Sequence, residues 1–158
     1  MHRRIIAALV ASAAAGVLAQ SQDLATCRNP TGKAFRHFSG AQSQEDAGWS
    51  DERISNGAIT ITQAADGHFD LLYVDGRNKP ISMTQEGAKV VVLRSGPNEL
   101  LLLSHYEATT TELYSFFREK DGKNRYTVMT SRTGPRAVLP KSSLMVGDCD
   151  PIRFDLIK

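Results

Sequence analysis

The stretch from Thr110 to Arg132 reads TTELYSFFREKDGKNRYTVMTSR. Two runs rich in Thr, Tyr, Phe and Val flank Asp121-Gly122. Aromatic and β-branched side chains suit a pleated, half-buried surface. Asp-Gly supplies the positive φ that a tight turn between antiparallel strands requires. The stretch therefore predicts a β-hairpin with strands over 110–119 and 124–132.

The same rhythm continues upstream. Ile59 and Ile61 alternate with Thr60 and Thr62, and Phe69, Leu71 and Tyr73 share one face of a further strand. Asp66-Gly67, Asp75-Gly76, Glu86-Gly87 and Ser95-Gly96-Pro97-Asn98 punctuate the chain as turns, with short strands over 81–84 and 90–93 between them. Leu100 to Tyr106 is apolar at alternate and intervening positions alike, which predicts a strand covered on both sides. Downstream, Leu144-Met145-Val146 reads as a last strand. No long apolar stripe of period 3.6 occurs. The fold class expected is all-β, an antiparallel meander of about seven or eight strands closing into a small barrel or sandwich, since closure removes exposed edges.

Ahead of this domain the composition changes twice. Met1-His2-Arg3-Arg4 is basic, Ile5 to Leu18 is uncharged and apolar, and Val17-Leu18-Ala19 has the small-residue pattern of a cleavage site. That sequence of features predicts a signal peptide over 1–19 and a secreted or periplasmic protein with no stable membrane anchor after cleavage. The apolar run is short of the roughly 20 residues that a spanning helix needs. Residues 20–57 are polar and broken by Asn29-Pro30-Thr31-Gly32, Gly40 and Gly48. They read as an irregular N-terminal segment, with one helical turn over 44–49. The antiparallel β domain is expected over 58–158.

Charge removes one class of partner. The chain has 19 Lys+Arg and 17 Asp+Glu, and two of the cations, Arg3 and Arg4, lie in the leader. The mature chain is then balanced and carries no basic cluster, so nucleic acid is not an expected partner. Its two cysteines, Cys27 and Cys149, bracket the predicted strands. In an oxidising compartment they are expected to form a structural disulfide, the alternatives being free thiols or an intermolecular bridge.

No catalytic, cofactor or metal motif stands out. Phosphate loops, nucleophile elbows and His-Glu-x-x-His are missing from the sequence. His105 follows Leu101 and Leu103 at strand spacing, which makes it a possible ligand contact at a barrel mouth. Ser104, His105 and Glu107 have the residue types of a triad, but neighbours on a strand point to opposite faces. His37 and His68 have no visible co-ligands, and Asp148, Asp150 and Asp155 lack the spacing of a calcium loop.

Cys27, Gly48-Trp49, the run Phe69 to Asp75, the run Thr111 to Phe116, and Lys141 to Cys149 resemble those of small exported bacterial proteins of unassigned function. The resemblance implies a bacterial periplasmic or extracellular setting and no activity. The function expected is an exported, non-enzymatic binding module of the cell envelope that holds a small ligand or a protein partner. The alternative is a hydrolase in which distant carboxylates such as Asp70 and Glu112 converge.

Overall fold

The computed structural model describes residues 21–41, 43–74 and 79–157. Among the described residues there are ten strands and only two single-turn 3-10 helices, Gln44–Asp46 and Phe154–Leu156. The strands are β1 (Gln22–Arg36), β2 (Gly48–Arg53), β3 (Ala58–Gln63), β4 (Phe69–Val74) and β5 (Pro80–Ser82), followed by β6 (Lys89–Gly96), β7 (Glu99–Tyr106), β8 (Thr110–Arg118), β9 (Asn124–Arg132) and β10 (Lys141–Cys149). They form one sheet in the order β5-β4-β3-β1-β10-β9-β8-β7-β6, with β2 also beside β1. Every ladder is antiparallel. The sheet curls as a half-barrel in which β4 approaches β6, and its buried side chains form one core. Among the described residues no ladder joins the outermost strands β5 and β6.

The hairpin expected at Asp121-Gly122 is present, with β8 and β9 paired from Thr111↔Ser131 to Arg118↔Asn124. Its turn is one residue longer than a two-residue loop. Gly122 N donates to Glu119 O at 3.0 Å, Glu119 N donates to Lys123 O at 2.8 Å, and Gly122 alone in the turn has a positive φ, 87°. This is a three-residue loop ending in a glycine bulge.

The segment expected to be irregular, 20–57, is largely strand among its described residues, for it holds β1, fifteen residues long, and β2. β1 occupies the middle of the sheet, pairing β10 along one edge and first β3, then β2, along the other. Two register breaks, at Asp23/Ala25 and at Arg28/Thr31, disturb its alternation. Leu24 and Ala25 are consequently both buried. Asn29-Pro30, a turn by composition, is instead a bulge inside the strand, where Asn29 has φ 55° and proline costs no ladder bond. Gly32 lets β10 approach, for a Cβ there would lie 2.0 Å from Leu144 O.

β7 corrects a second expectation. Leu100 and Leu102 are fully buried on the concave side, whereas Leu101 and Leu103 are only half-buried on the convex side. The convex face carries an apolar row in register across five strands: Val91, Leu103, Leu113, Met129 and Leu144. Residues 1–20 and the Asp75-Gly76-Arg77-Asn78 turn lie outside the described residues.

The C-terminal segment closes one end of the half-barrel. Ile152 and Phe154 are buried, Arg153 N donates to Leu24 O at 3.2 Å, and Asp150 N donates to Thr26 O at 2.9 Å. The Arg118 guanidinium donates to Ile152 O and lies 5.6 Å over the Phe154 ring. Just inside, Cys27 and Cys149 face each other in the β1–β10 ladder and are joined by a disulfide, with Cα atoms 3.9 Å apart.

Candidate ligand-binding cavity

Strand alternation and register sort the concave side chains of β7–β10 into rows. Nearest the closed end lie Leu100, Phe116, Tyr126 and Gly147; next come Leu102, Tyr114, Val128 and Met145. The third row is Ser104, Glu112, Thr130 and Ser143. Beyond it, at the open end, Tyr106 pairs with Thr110, and Arg132 with Lys141. The concave surface thus passes from apolar, through a row of hydroxyls and one carboxylate, to a cationic rim.

Glu112 is the centre of the polar row. Tyr114 donates its hydroxyl to Oε2 at 2.8 Å, and Thr130 donates to Oε1 at 3.3 Å. No cationic side chain lies within ion-pair distance of Glu112 among the described residues. On either side of it in the row, Ser104 Oγ and Ser143 Oγ are buried without a hydrogen-bond partner. Such hydroxyls each forgo on the order of 1–3 kcal/mol of hydration.

A cavity of about 660 Å³ opens above this row, lined by Tyr73, Tyr106, Glu112, Tyr114, Arg132 and Arg136 with apolar neighbours such as Met83 and Leu139. A second cavity of about 330 Å³ shares Glu112 and Arg132 with it and is lined further by Thr130, Lys141, Ser143 and Met145. The volume suits a small molecule. Burial, with Tyr73 and then Glu112 close by, pushes the Tyr106 hydroxyl up to about 12. Burial, and next the charge of Glu112, holds Tyr114 well above the ordinary phenol range. Both therefore stay neutral donors at any physiological pH.

The rim cations differ. Arg136 donates to Glu107 O at 2.8 Å, while Arg132 makes no side-chain hydrogen bond or ion pair among the described residues. Lys141 is paired to Glu52 at 2.5 Å, both mostly buried. Comparison with known proteins yields no match: no family model, no curated protein and no solved structure is similar to this chain.

His105 is not at the mouth. It is exposed on the convex face of β7, with Nδ1 3.0 Å from Thr111 Oγ1, because Leu100, Leu102 and Ser104 take the concave positions. Asp70 alternates with the inward Phe69 and Leu71 and so faces away from Glu112. Its carboxylate accepts from Ser82 Oγ and from the Thr84 amide and holds the turn after β5. The two carboxylates therefore share no site. His37 lies 3.2 Å from Ser142 Oγ, and His68 is exposed beside Asp66. Arg125 engages Asp148 at 3.2 Å, and Arg28 holds Asp150 with two bonds at 2.8 and 2.9 Å. Among the described residues no group of three or more His, Cys, Asp or Glu is placed to hold a metal ion.

Four residues that line the cavity, Thr130, Arg132, Arg136 and Ser143, carry no motif. The readable signal is register: counting back from the Asp121-Gly122 turn sets Glu112 opposite Thr130.

Proposed function

We propose that this protein is an exported, non-enzymatic binding module that holds a small ligand in the concave cavity of its half-barrel. One observation carries the reading. Across β7–β10 the apolar concave face gives way to a row of polar groups, Ser104, Glu112, Thr130 and Ser143, and Ser143, which lines the cavity, has a hydroxyl without a partner. Buried polar groups are ordinarily satisfied, so a row that is incomplete on its own suits groups that a ligand completes. Export fits the same picture: a basic-then-apolar leader and a disulfide belong to an oxidising compartment.

The test is an amide NMR titration with a set of small polar molecules. Shifts confined to the backbone around Glu112, Thr130 and Ser143 support the reading. Shifts confined to the convex row of Val91, Leu103 and Met129, or none from any molecule in the set, oppose it.

A further inference from the structure

We propose that the cavity recognises a small zwitterion: an ammonium group seated against Glu112 and an anionic group facing Arg132 and Arg136. The proposal rests on the binding reading above and specifies its ligand class.

Glu112 carries the cationic half. Its oxygens accept hydrogen bonds from two neutral hydroxyls, those of Tyr114 and Thr130, and no protein cation neutralises it among the described residues. A carboxylate has about four acceptor positions, so capacity remains for an N–H donor. The same cavity is lined by Tyr73, Tyr106 and Tyr114. Tyrosine rings attract a cation through their negative faces, as in aromatic cages for amines. Ser143 Oγ, fully out of solvent and unpartnered, lies in the row of Glu112 and lines the second cavity, which Glu112 shares. It can accept a further ammonium hydrogen.

The anionic half follows from the rim. Arg132 and Arg136 line the cavity, and Arg132 has its guanidinium uncommitted among the described residues. A purely cationic ligand would meet both on entry, and a purely anionic one would meet Glu112 inside. On β9 the row of Glu112 and the rim row are two residues apart, at Thr130 and Arg132, which is about 7 Å along a strand. That separation matches an ammonium joined to a phosphate or carboxylate by a chain of about two or three carbons, with an ionic contact at each end. An ethanolamine phosphate group has this chemistry, free or as a lipid headgroup.

The experiment is calorimetric titration of the mature protein with O-phosphoethanolamine, ethanolamine and inorganic phosphate, alongside amide NMR on the same samples. O-phosphoethanolamine is expected to bind more tightly than either half. Glu112→Gln, which keeps shape and loses charge, should weaken it by roughly tenfold or more. Arg132→Ala, on the exposed rim, should weaken O-phosphoethanolamine and leave ethanolamine unchanged. Thermal unfolding of both variants confirms that they are folded, and His105→Ala serves as a convex-face control that binds as wild type. Sedimentation with phosphatidylethanolamine vesicles separates the two sources: co-sedimentation assigns a headgroup, and soluble binding without it assigns the free zwitterion. Phosphate alone binding as tightly as O-phosphoethanolamine, or a folded Glu112→Gln variant with unchanged affinity, overturns the proposal. If none of the three probes binds but other small molecules shift the amides around Glu112, the ligand class fails and the binding reading stands. If nothing shifts those amides, both fail.

Discussion

Replacing Cys27 and Cys149 together by alanine should cost the protein about 3–5 kcal/mol without altering its native structure. The two residues are 122 positions apart, so the bond closes nearly the whole described chain into one loop. The chain-entropy argument gives about 5 kcal/mol for a loop of that length, most of it from restricting the unfolded state. Two local effects modify the figure. Cys27 is completely buried, so truncating it leaves a small void and adds to the loss. The β1–β10 ladder on which the bond sits survives its removal, since the pairing continues from Thr31↔Val146 to Arg36↔Lys141. Urea unfolding followed by tryptophan fluorescence and circular dichroism measures the difference. The midpoint should fall and the slope should rise, because an uncrosslinked chain exposes more surface on unfolding. Amide spectra of the folded variant should change only near the two sites. A loss below about 1 kcal/mol, or a loss accompanied by a disrupted β1–β10 ladder, would refute the view that the bond acts mainly on the unfolded chain.

Three further outcomes are expected. Tyr106 and Tyr126 are raised to about 12 and burial raises Tyr114 as well, so folding holds protons that the unfolded chain releases near pH 10. Stability should therefore be level below pH 10 and fall between about 10 and 12, on the order of 1 kcal/mol per pH unit for each well-buried tyrosine; a flat profile in alkaline urea titrations contradicts it. Gly32→Ala sets a Cβ 2.0 Å from Leu144 O and should destabilise by about 1–3 kcal/mol, with shifts along β1 and β10 in NMR spectra; an unaffected midpoint would mean that the two strands can part freely. Mass spectrometry of the protein recovered from its host should show a chain beginning at Gln20, whereas one beginning at Met1, or bearing lipid on Cys27, counts against export of the mature form.

The all-β class was legible because β3 alternates Ile with Thr, β4, β8 and β9 are rich in aromatic and β-branched residues, and glycine turns separate β3 from β4 and β8 from β9. β1 was not legible. Its bulges shift the inward parity twice, and its inward residues include Ala25, Cys27 and Ala34, too small to register as an apolar stripe. Leu101 and Leu103 misled in the opposite direction, since they belong to an apolar row on the convex face and not to a covered strand. His105 followed the same parity, and a one-residue change of parity moves a side chain from the mouth to the outside. The cavity was hidden for a related reason. Ser104, Glu112, Thr130 and Ser143 are spread over forty positions and become a row only through the pairing of four strands. The Glu112–Thr130 contact lies within the hairpin of Asp121-Gly122, the turn most plainly written in the sequence, and can be counted from it.

The concave row is tested most directly by Ser143→Ala, measured for stability and for binding on the same sample. Ser143 Oγ is buried and unpartnered, so deleting it removes an unmet hydrogen-bonding group and leaves the fold intact. The account predicts a variant as stable as the wild type or more so, by up to about 1 kcal/mol, that nonetheless responds more weakly to O-phosphoethanolamine in the amide spectra. A variant that is less stable and binds with unchanged affinity would show that the hydroxyl serves the fold, and would contradict the assignment of this row to a ligand.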